Sequence, residues 1–239
     1  MINYKMPLNI IPDDEVLRLN KLNDFEILNT PPETDFDAIA ILAAEIFDTE
    51  NAHICFVDKD HVFFKASLCG SEVENTLRES SLCALSILKD KVSVYSDIHQ
   101  FYELADSPFL VDAEDIRFYA AAPIRATDGS ALGTVCVTDD KPHLDVTEKQ
   151  LKLLELLADT VLKKMESRLI SRKTIKAYDE RLHRMSHDLK NPVTSISLYA
   201  QLLSSREMSA EKVFSMAAKI ENSVKKIEKS LSNVFAEDE

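Results

Sequence analysis

Residues 185–193 read Met185-Ser186-His187-Asp188-Leu189-Lys190-Asn191-Pro192-Val193. They lie inside a longer helical pattern. Leu154, Val161, Ile175, Leu182, Leu189 and Ile196 share one seven-residue repeat, broken only by Arg168. Leu157, Lys164, Ser171, Tyr178, Met185, Pro192 and Tyr199 follow those positions by three. Such a repeat supercoils a helix left-handedly against another helix. With Leu182, Met185 and Leu189 on the seam, His187 is expected to face solvent. Asn191, four residues on, shares its face, and so does His183, four residues before. Pro192 removes the N–H that would bond the Asp188 carbonyl, which predicts a bend one turn beyond His187. A proline inside a helix costs about 3 kcal/mol, so its presence asks for a reason. An accessible histidine beside an acid, with an amide one turn on, suggests a group that carries phosphate. Imidazole, with an ordinary pKa of about 6.5, is a fair nucleophile at pH 7.

The seam fails at Lys164, Arg168 and Ser171, while Met165 and Leu169 offer an alternative one position later. The register is therefore expected to slip there, either as a solvated stretch or as a joint that can shift. Ser204–Met208 reads as a short polar loop. Ser209 can cap the helix that follows, with Glu211 near its positive end. Val213, Ala217, Ile220, Val224, Ile227, Leu231 and Val234 then form an unbroken apolar stripe. The two helices make a hairpin of about 26–30 residues per arm, roughly 40–45 Å long. A lone hairpin has a thin core, so two are expected to pair as a four-helix bundle.

Composition divides the chain. Residues 172–239 carry 12 basic and 10 acidic residues, a net of +2, whereas 1–171 carry 16 and 31, a net of −15. Gly70, Gly129 and Gly133, the only glycines, all lie in the first part. The overall net charge of −13 argues against a nucleic-acid partner. No apolar run of about 18 residues predicts a membrane span, and the N-terminus does not read as a signal peptide. A cytoplasmic protein is expected. Cys55, Cys69, Cys83 and Cys136 are scattered, with no C-x-x-C pair, and read as buried thiols in a reducing compartment.

The first part predicts an α+β domain. A helix is expected from Pro12 to about Leu22, with Asp13 and Asp14 as caps. Pro31-Pro32 breaks the chain, and Phe36, Ile39, Ala40, Ala43 and Phe47 predict a helix over about 34–48. His53–Asp58 and Val62–Leu68 read as a hairpin, and Val92–Ile98 as a strand. Tyr119–Arg125 and Ala131–Thr138 flank Thr127-Asp128-Gly129-Ser130, a strong hairpin signal. Helices thus flank an antiparallel sheet. No phosphate loop, metal-spaced set or nucleophile elbow appears, so no metal site is expected.

Six blocks stand in order: Ile27-Leu28-Asn29-Thr30-Pro31-Pro32-Glu33, Phe64-Lys65-Ala66-Ser67, Ser81-Leu82-Cys83, Phe109-Leu110-Val111, Ile116–Pro123 and Leu132-Gly133-Thr134-Val135-Cys136-Val137. Together, over roughly residues 15–170, they resemble a bacterial GAF domain of the sensor type. That resemblance implies a small ligand beside the sheet, or a domain that dimerises and relays strain. Related sequences often place a histidine where Leu85 stands, which lowers the odds of a polar or metal-dependent ligand there. No bilin-attachment motif is present. His53, His61, His99 and His143 read as surface or satisfied histidines, and Arg117 and Tyr119 as structural or pocket-lining.

Residues 185–193 resemble the H-box of the HisKA family, the dimerisation and phosphoacceptor domain of sensor histidine kinases. The resemblance implies that His187 accepts the phosphoryl group through a ring nitrogen. Asp188 would orient the ring and take its proton. Asn191 would help position water when a response regulator is dephosphorylated. It also implies a homodimer, a response-regulator receiver domain as partner, and an ATP-binding kinase domain in cis or in trans. The sequence as it stands holds no ATP site after the hairpin, so autonomous phosphorylation from ATP is not expected. The expected organisation is a GAF domain over 1–150, a signalling helix over 151–174, and a phosphoacceptor hairpin over 175–239. The alternative is a GAF-containing regulatory dimerisation module whose phosphoacceptor site is unused. A sulfoxide reductase of the GAF fold would need an attacking and a resolving cysteine, which the cysteine spacing does not offer.

Overall fold

The computed structural model describes residues 10–68, 76–101, 116–205 and 207–236. Cys69, Gly70 and the block Phe109-Leu110-Val111 lie outside the described residues, as does the Val234 side chain. The chain divides into two compact units, Met1–Leu169 and Ile170–Glu239.

The first unit is built on one six-stranded antiparallel sheet. Its helices are α1 (Glu15–Asp24), α2 (Thr34–Phe47) and α3 (Leu82–Ser86). Its strands are β1 (Asn51–Val57), β2 (His61–Ser67), β3 (Thr76–Leu77), β4 (Ser93–Tyr95), β5 (Phe118–Arg125) and β6 (Ala131–Asp139). The spatial order is β3-β2-β1-β6-β5-β4. Both expected hairpins form, β1 with β2 and β5 with β6. Gly129 takes φ +92 in the second turn, where a side chain would be strained. Asp128 Oδ1 accepts from the Ser130 N–H at 3.0 Å, which fixes that turn from within.

Two readings of local structure need correction. Asp14 stands at the N-cap of α1, but its side chain makes no capping hydrogen bond. The strand expected over Val92–Ile98 shrinks to Ser93–Tyr95, because Ile98–Gln100 turns into a single 3₁₀ turn.

Strand alternation gives the sheet two buried faces. Ala52, Ile54, Phe56, Phe118, Ala120, Ala122, Val135 and Val137 look one way, into the main core with α2. Cys55, Val57, Tyr119, Ala121 and Cys136 look the other way, under α3. Between the two central strands, Gly133 has no room for a side chain. A Cβ there would stand 1.9 Å from the Cys55 carbonyl oxygen.

A long helix, α4 (Glu148–Ser205), completes the main core. Leu154, Ala158, Val161 and Met165 are at most 2% exposed. The heptad positions Leu154 and Val161 therefore face the sheet domain, not a partner helix. Lys164 and Arg168, which interrupt the stripe, bind the rim of that domain. Lys164 pairs with Asp35. Arg168 Nε donates to Glu33 Oε1 at 2.8 Å, and its Nη1 donates to the Glu26 carbonyl at 3.0 Å. Lys65, buried, donates to the same Glu33 oxygen at 2.7 Å and to the Pro31 carbonyl at 2.6 Å. The expected slip in register is here a set of ion pairs.

In the second unit, α4 runs on to Ser205 and α5 covers Ala210–Ala236. Ser209 precedes α5, and its carbonyl accepts from the Val213 N–H at 3.2 Å.

Opposite the main core, Arg18 and Arg78 converge on Glu15. Arg18 is fully buried and also donates to the Val57 carbonyl at 2.7 Å. Arg78 also donates to the Ile10 carbonyl at 3.1 Å. Burial alone would raise the Glu15 carboxyl, but hydrogen bonds from both guanidinium groups outweigh it and lower the pKa to about 2, against an ordinary 4.5. The folded state thus binds this proton less readily than the unfolded state. The resulting stability is present above pH 4.5 and is lost as pH falls toward 2. Discounted for solvent screening of this partly exposed carboxylate, it is worth on the order of 1–2 kcal/mol. Glu15→Gln should therefore destabilise the chain by about 1–2 kcal/mol at pH 7 and flatten the acid limb of a urea-unfolding series. An acid limb as steep as in the unaltered protein would contradict this account.

Candidate functional site

The helical unit carries the motif that the sequence singled out. His187 and Asp188 have side chains 71% and 66% exposed, and Asn191 is exposed on the same helix. His183 is exposed as well. His187 Nδ1 and Asp188 Oδ1 stand 3.5 Å apart. That is longer than an ordinary hydrogen bond, yet it brings together neighbours that a regular helix points apart. If Nδ1 carries the ring proton and Asp188 accepts it, Nε2 is left with its lone pair toward solvent.

Pro192 is buried, and the helix assignment continues through it. Its missing N–H leaves the Asp188 carbonyl without its i+4 donor. Two hydroxyls just beyond it bond back to the helix. Thr194 Oγ1 donates to the Lys190 carbonyl at 2.8 Å, and Ser195 Oγ to the Asn191 carbonyl at 3.1 Å. Such back-bonds weaken and curve helices. The turn after His187 thus combines a missing backbone hydrogen bond with two back-bonded hydroxyls.

The two arms meet along a seam that differs from the expected one. On α4, Met185, Leu189, Pro192, Ile196 and Tyr199 are buried or half-buried. On α5 the covered positions are Met216, Ile220, Ser223, Ile227 and Ser230. Lys219 Nζ lies 5.3 Å from the centre of the Tyr199 ring. Val213, Val224 and Leu231, which the sequence assigned to the same stripe, stay about 40% exposed. The expected stripe thus splits. Ile220 and Ile227 close the hairpin, and Val213, Ala217, Val224 and Leu231 form a second, uncovered face.

The first unit holds a second cluster that sequence spacing did not predict. Cys55 on β1, Cys83 on α3 and Cys136 on β6 are all buried. Their sulfurs lie within 4.8 Å of one another. Tyr119 Oη donates to Cys83 Sγ at 3.6 Å and shares a 3.0 Å hydrogen bond with Ser86 Oγ. Burial pushes the Cys55 thiol and the Tyr119 phenol well above their ordinary values. His53 is half-buried beside them, and its desolvation lowers its pKa. Its Nδ1 sits 2.9 Å from Ser67 Oγ, and its ring meets Phe64 edge-on. Leu85 is buried on α3. Arg117 lies apart from this cluster, in a two-point ion pair with Asp97 at 2.7 and 2.8 Å. His143 stacks on Phe118 and sits 2.9 Å from Asp139.

Comparison with known proteins gives two family matches. The GAF domain model matches residues 31–163, and the His Kinase A (phospho-acceptor) domain model matches residues 178–237. A cyclic di-GMP phosphodiesterase of Pseudomonas aeruginosa is 30% identical over 156 residues, or 65% of this chain and 26% of that protein. The matched stretch is thus about a quarter of that relative's length. The GAF domain of an Acinetobacter phosphoenolpyruvate-protein phosphotransferase is 13% identical, with 66% of this chain and 98% of that one covered at a TM-score of 0.48. The blue-light absorbing form of the Thermosynechococcus elongatus PixJ GAF-domain is also 13% identical, with 68% and 96% covered at a TM-score of 0.49.

Exchange of Pro192 for alanine restores the donor for the Asp188 carbonyl at the cost of a buried ring. Pro192→Ala should raise the stability of the helical unit by about 1–2 kcal/mol net, since proline inside a helix costs about 3 kcal/mol. Thermal unfolding followed by far-ultraviolet circular dichroism checks this, and a lowered midpoint would show that packing of the proline ring outweighs the missing hydrogen bond.

Proposed function

The chain belongs to the GAF domain family and carries a HisKA phosphoacceptor domain after it, and from that premise we propose that His187 receives a phosphoryl group and passes it to the receiver domain of a response regulator. The coarser statement, a sensor histidine kinase-type phosphoacceptor module, follows from the two matched families. The observation that carries the finer one is His187 itself. It is exposed, it lies within the HisKA match, and it sits one helical turn before a buried proline.

In this reading each neighbour has a task. Asp188 holds the ring proton on Nδ1, so that Nε2 attacks phosphorus. The imidazole charge that develops is balanced by the same carboxylate. Asn191 points a water at the phosphoryl group during dephosphorylation of the regulator. Little more chemistry is asked of this unit, because phosphoryl transfer depends mainly on position and charge. The ATP-binding domain that supplies the phosphoryl group acts in cis or in trans. Two copies of the hairpin pair through the uncovered face that contains Val213, Val224 and Leu231. The GAF domain, over about residues 1–150, takes the input. The helix over 151–174 conveys it to the hairpin over 175–239. A small ligand on the α3 side of the sheet is the input that the buried polar groups there support.

Transfer from a phosphorylated receiver, or from ATP with a cognate kinase domain, should label the chain with an acid-labile, base-stable phosphate. His187→Gln should abolish the label, and labelling that survives would refute the assignment. Val224→Asp should break the dimer in sedimentation without loss of helix content. A regulatory module with an unused site would instead keep its function in His187→Ala and lose it in Val224→Asp.

A further inference from the structure

The geometry points to a three-thiolate site for a single copper(I) ion, formed by Cys55, Cys83 and Cys136 on the α3 side of the sheet. The three residues come from three separate elements. His53 stands opposite Cys136, and Cys55 stands opposite Thr134, in the register of β1 and β6. Cys55 and Cys136 are therefore diagonal neighbours on one sheet face, and α3 lowers Cys83 onto them. All three side chains are at most 5% exposed.

The spacing suits one ion better than a disulfide. Cys83 Sγ and Cys136 Sγ are 3.9 Å apart, and no sulfur in the trio is more than 4.8 Å from another. A metal with bonds to sulfur of about 2.3 Å, in a trigonal plane, holds its sulfurs about 4 Å apart. The triangle here needs to contract by less than about 1 Å to meet that value. A disulfide requires a separation of about 2.05 Å and would leave the third thiol unused.

The donor set selects the ion. Soft thiolates favour copper(I) and zinc. Zinc sites ordinarily take four ligands. Among the described residues, no fourth histidine, cysteine or carboxylate joins the trio. Copper(I) accepts three sulfur ligands without a fourth. Each thiol that binds gives its proton to solvent and its sulfur lone pair to the ion, with no change of oxidation state.

A second observation at the same place points to bound charge. The Thr134 hydroxyl is completely buried opposite Cys55 and is directed at the Cys83 and Cys136 sulfurs. The Tyr119 hydroxyl donates to Cys83 as well. A thiolate is a better acceptor for such donors than a thiol. Two donors then face a site that becomes anionic when it loads.

The full chain, reduced and kept anaerobic, is to be titrated with copper(I) against the chromogenic chelator bicinchoninate. One equivalent per chain should be withheld from the chelator, and X-ray absorption should report three sulfurs at about 2.3 Å. Cys55→Ser, Cys83→Ser and Cys136→Ser should each weaken retention by more than the roughly 10–100-fold that loss of a supporting partner costs. Failure to withhold copper(I), equal retention by the three serine variants, or a shell of other than three sulfurs would overturn the assignment. The absorption measurement uses the unaltered protein, so it stands even where a variant fails to fold. Tighter retention of zinc than of copper(I) would also overturn it.

Discussion

The structure depends on one constraint on α4, whose first five turns must bury Leu154, Ala158, Val161 and Met165 against the sheet domain. That packing turns Lys164 and Arg168 to the rim, where acidic residues of the 33–35 turn hold them. Glu33 is the centre of this rim. It accepts from Lys65 and from Arg168 at once. Burial opposes ionisation of Glu33, but the two cations outweigh it and keep the carboxyl below its ordinary range. The start of α4 is thus part of the sheet domain's core and is joined to it by charge as well as by apolar contact.

The two faces of the sheet divide the labour. The main face is predominantly apolar and carries α2 and the start of α4, with the Lys65 ammonium over the Phe36 ring at its edge. The other face mixes sulfur, hydroxyl and imidazole groups under a short helix, the kind of polar detail that a fold does not need for stability alone. Gly133 serves both faces. By lacking a side chain it lets β6 approach the Cys55 carbonyl closely, which brings Cys55 and Cys136 within reach of Cys83.

Local signals were legible in the sequence. Asp128-Gly129 set the β5–β6 hairpin because the turn chemistry is contained in four residues. The exposure of His187 was legible from helix periodicity, since Met185 and Leu189 mark the inward side, although Leu182, expected on the same seam, is 56% exposed. What covers an apolar stripe was not legible. Leu154 and Val161 obey the same heptad as Leu189, yet the sheet covers the first two and the hairpin covers the third. On α5 the intrachain seam is turned toward Met216, Ser223 and Ser230, because the arms close on the side that Pro192 and Tyr199 present. α3 was missed because all five residues are buried, which erases periodicity. The thiol cluster was invisible for a related reason. Its members lie 28 and 53 positions apart, and only the β1–β6 register and the placement of α3 bring them together.

The central claim is that chemistry resides on one exposed imidazole of α4. Tryptic cleavage after Arg184 and Lys190 isolates the peptide Met185–Lys190, in which His187 is the only histidine. His183 falls in the preceding fragment, Leu182–Arg184. Mass-spectrometric mapping of the phosphorylated chain at alkaline pH is therefore the most direct measurement. The account predicts phosphate on the Met185–Lys190 peptide alone. Phosphate on the fragment that contains His183, or on any peptide of the sensor unit, would contradict it.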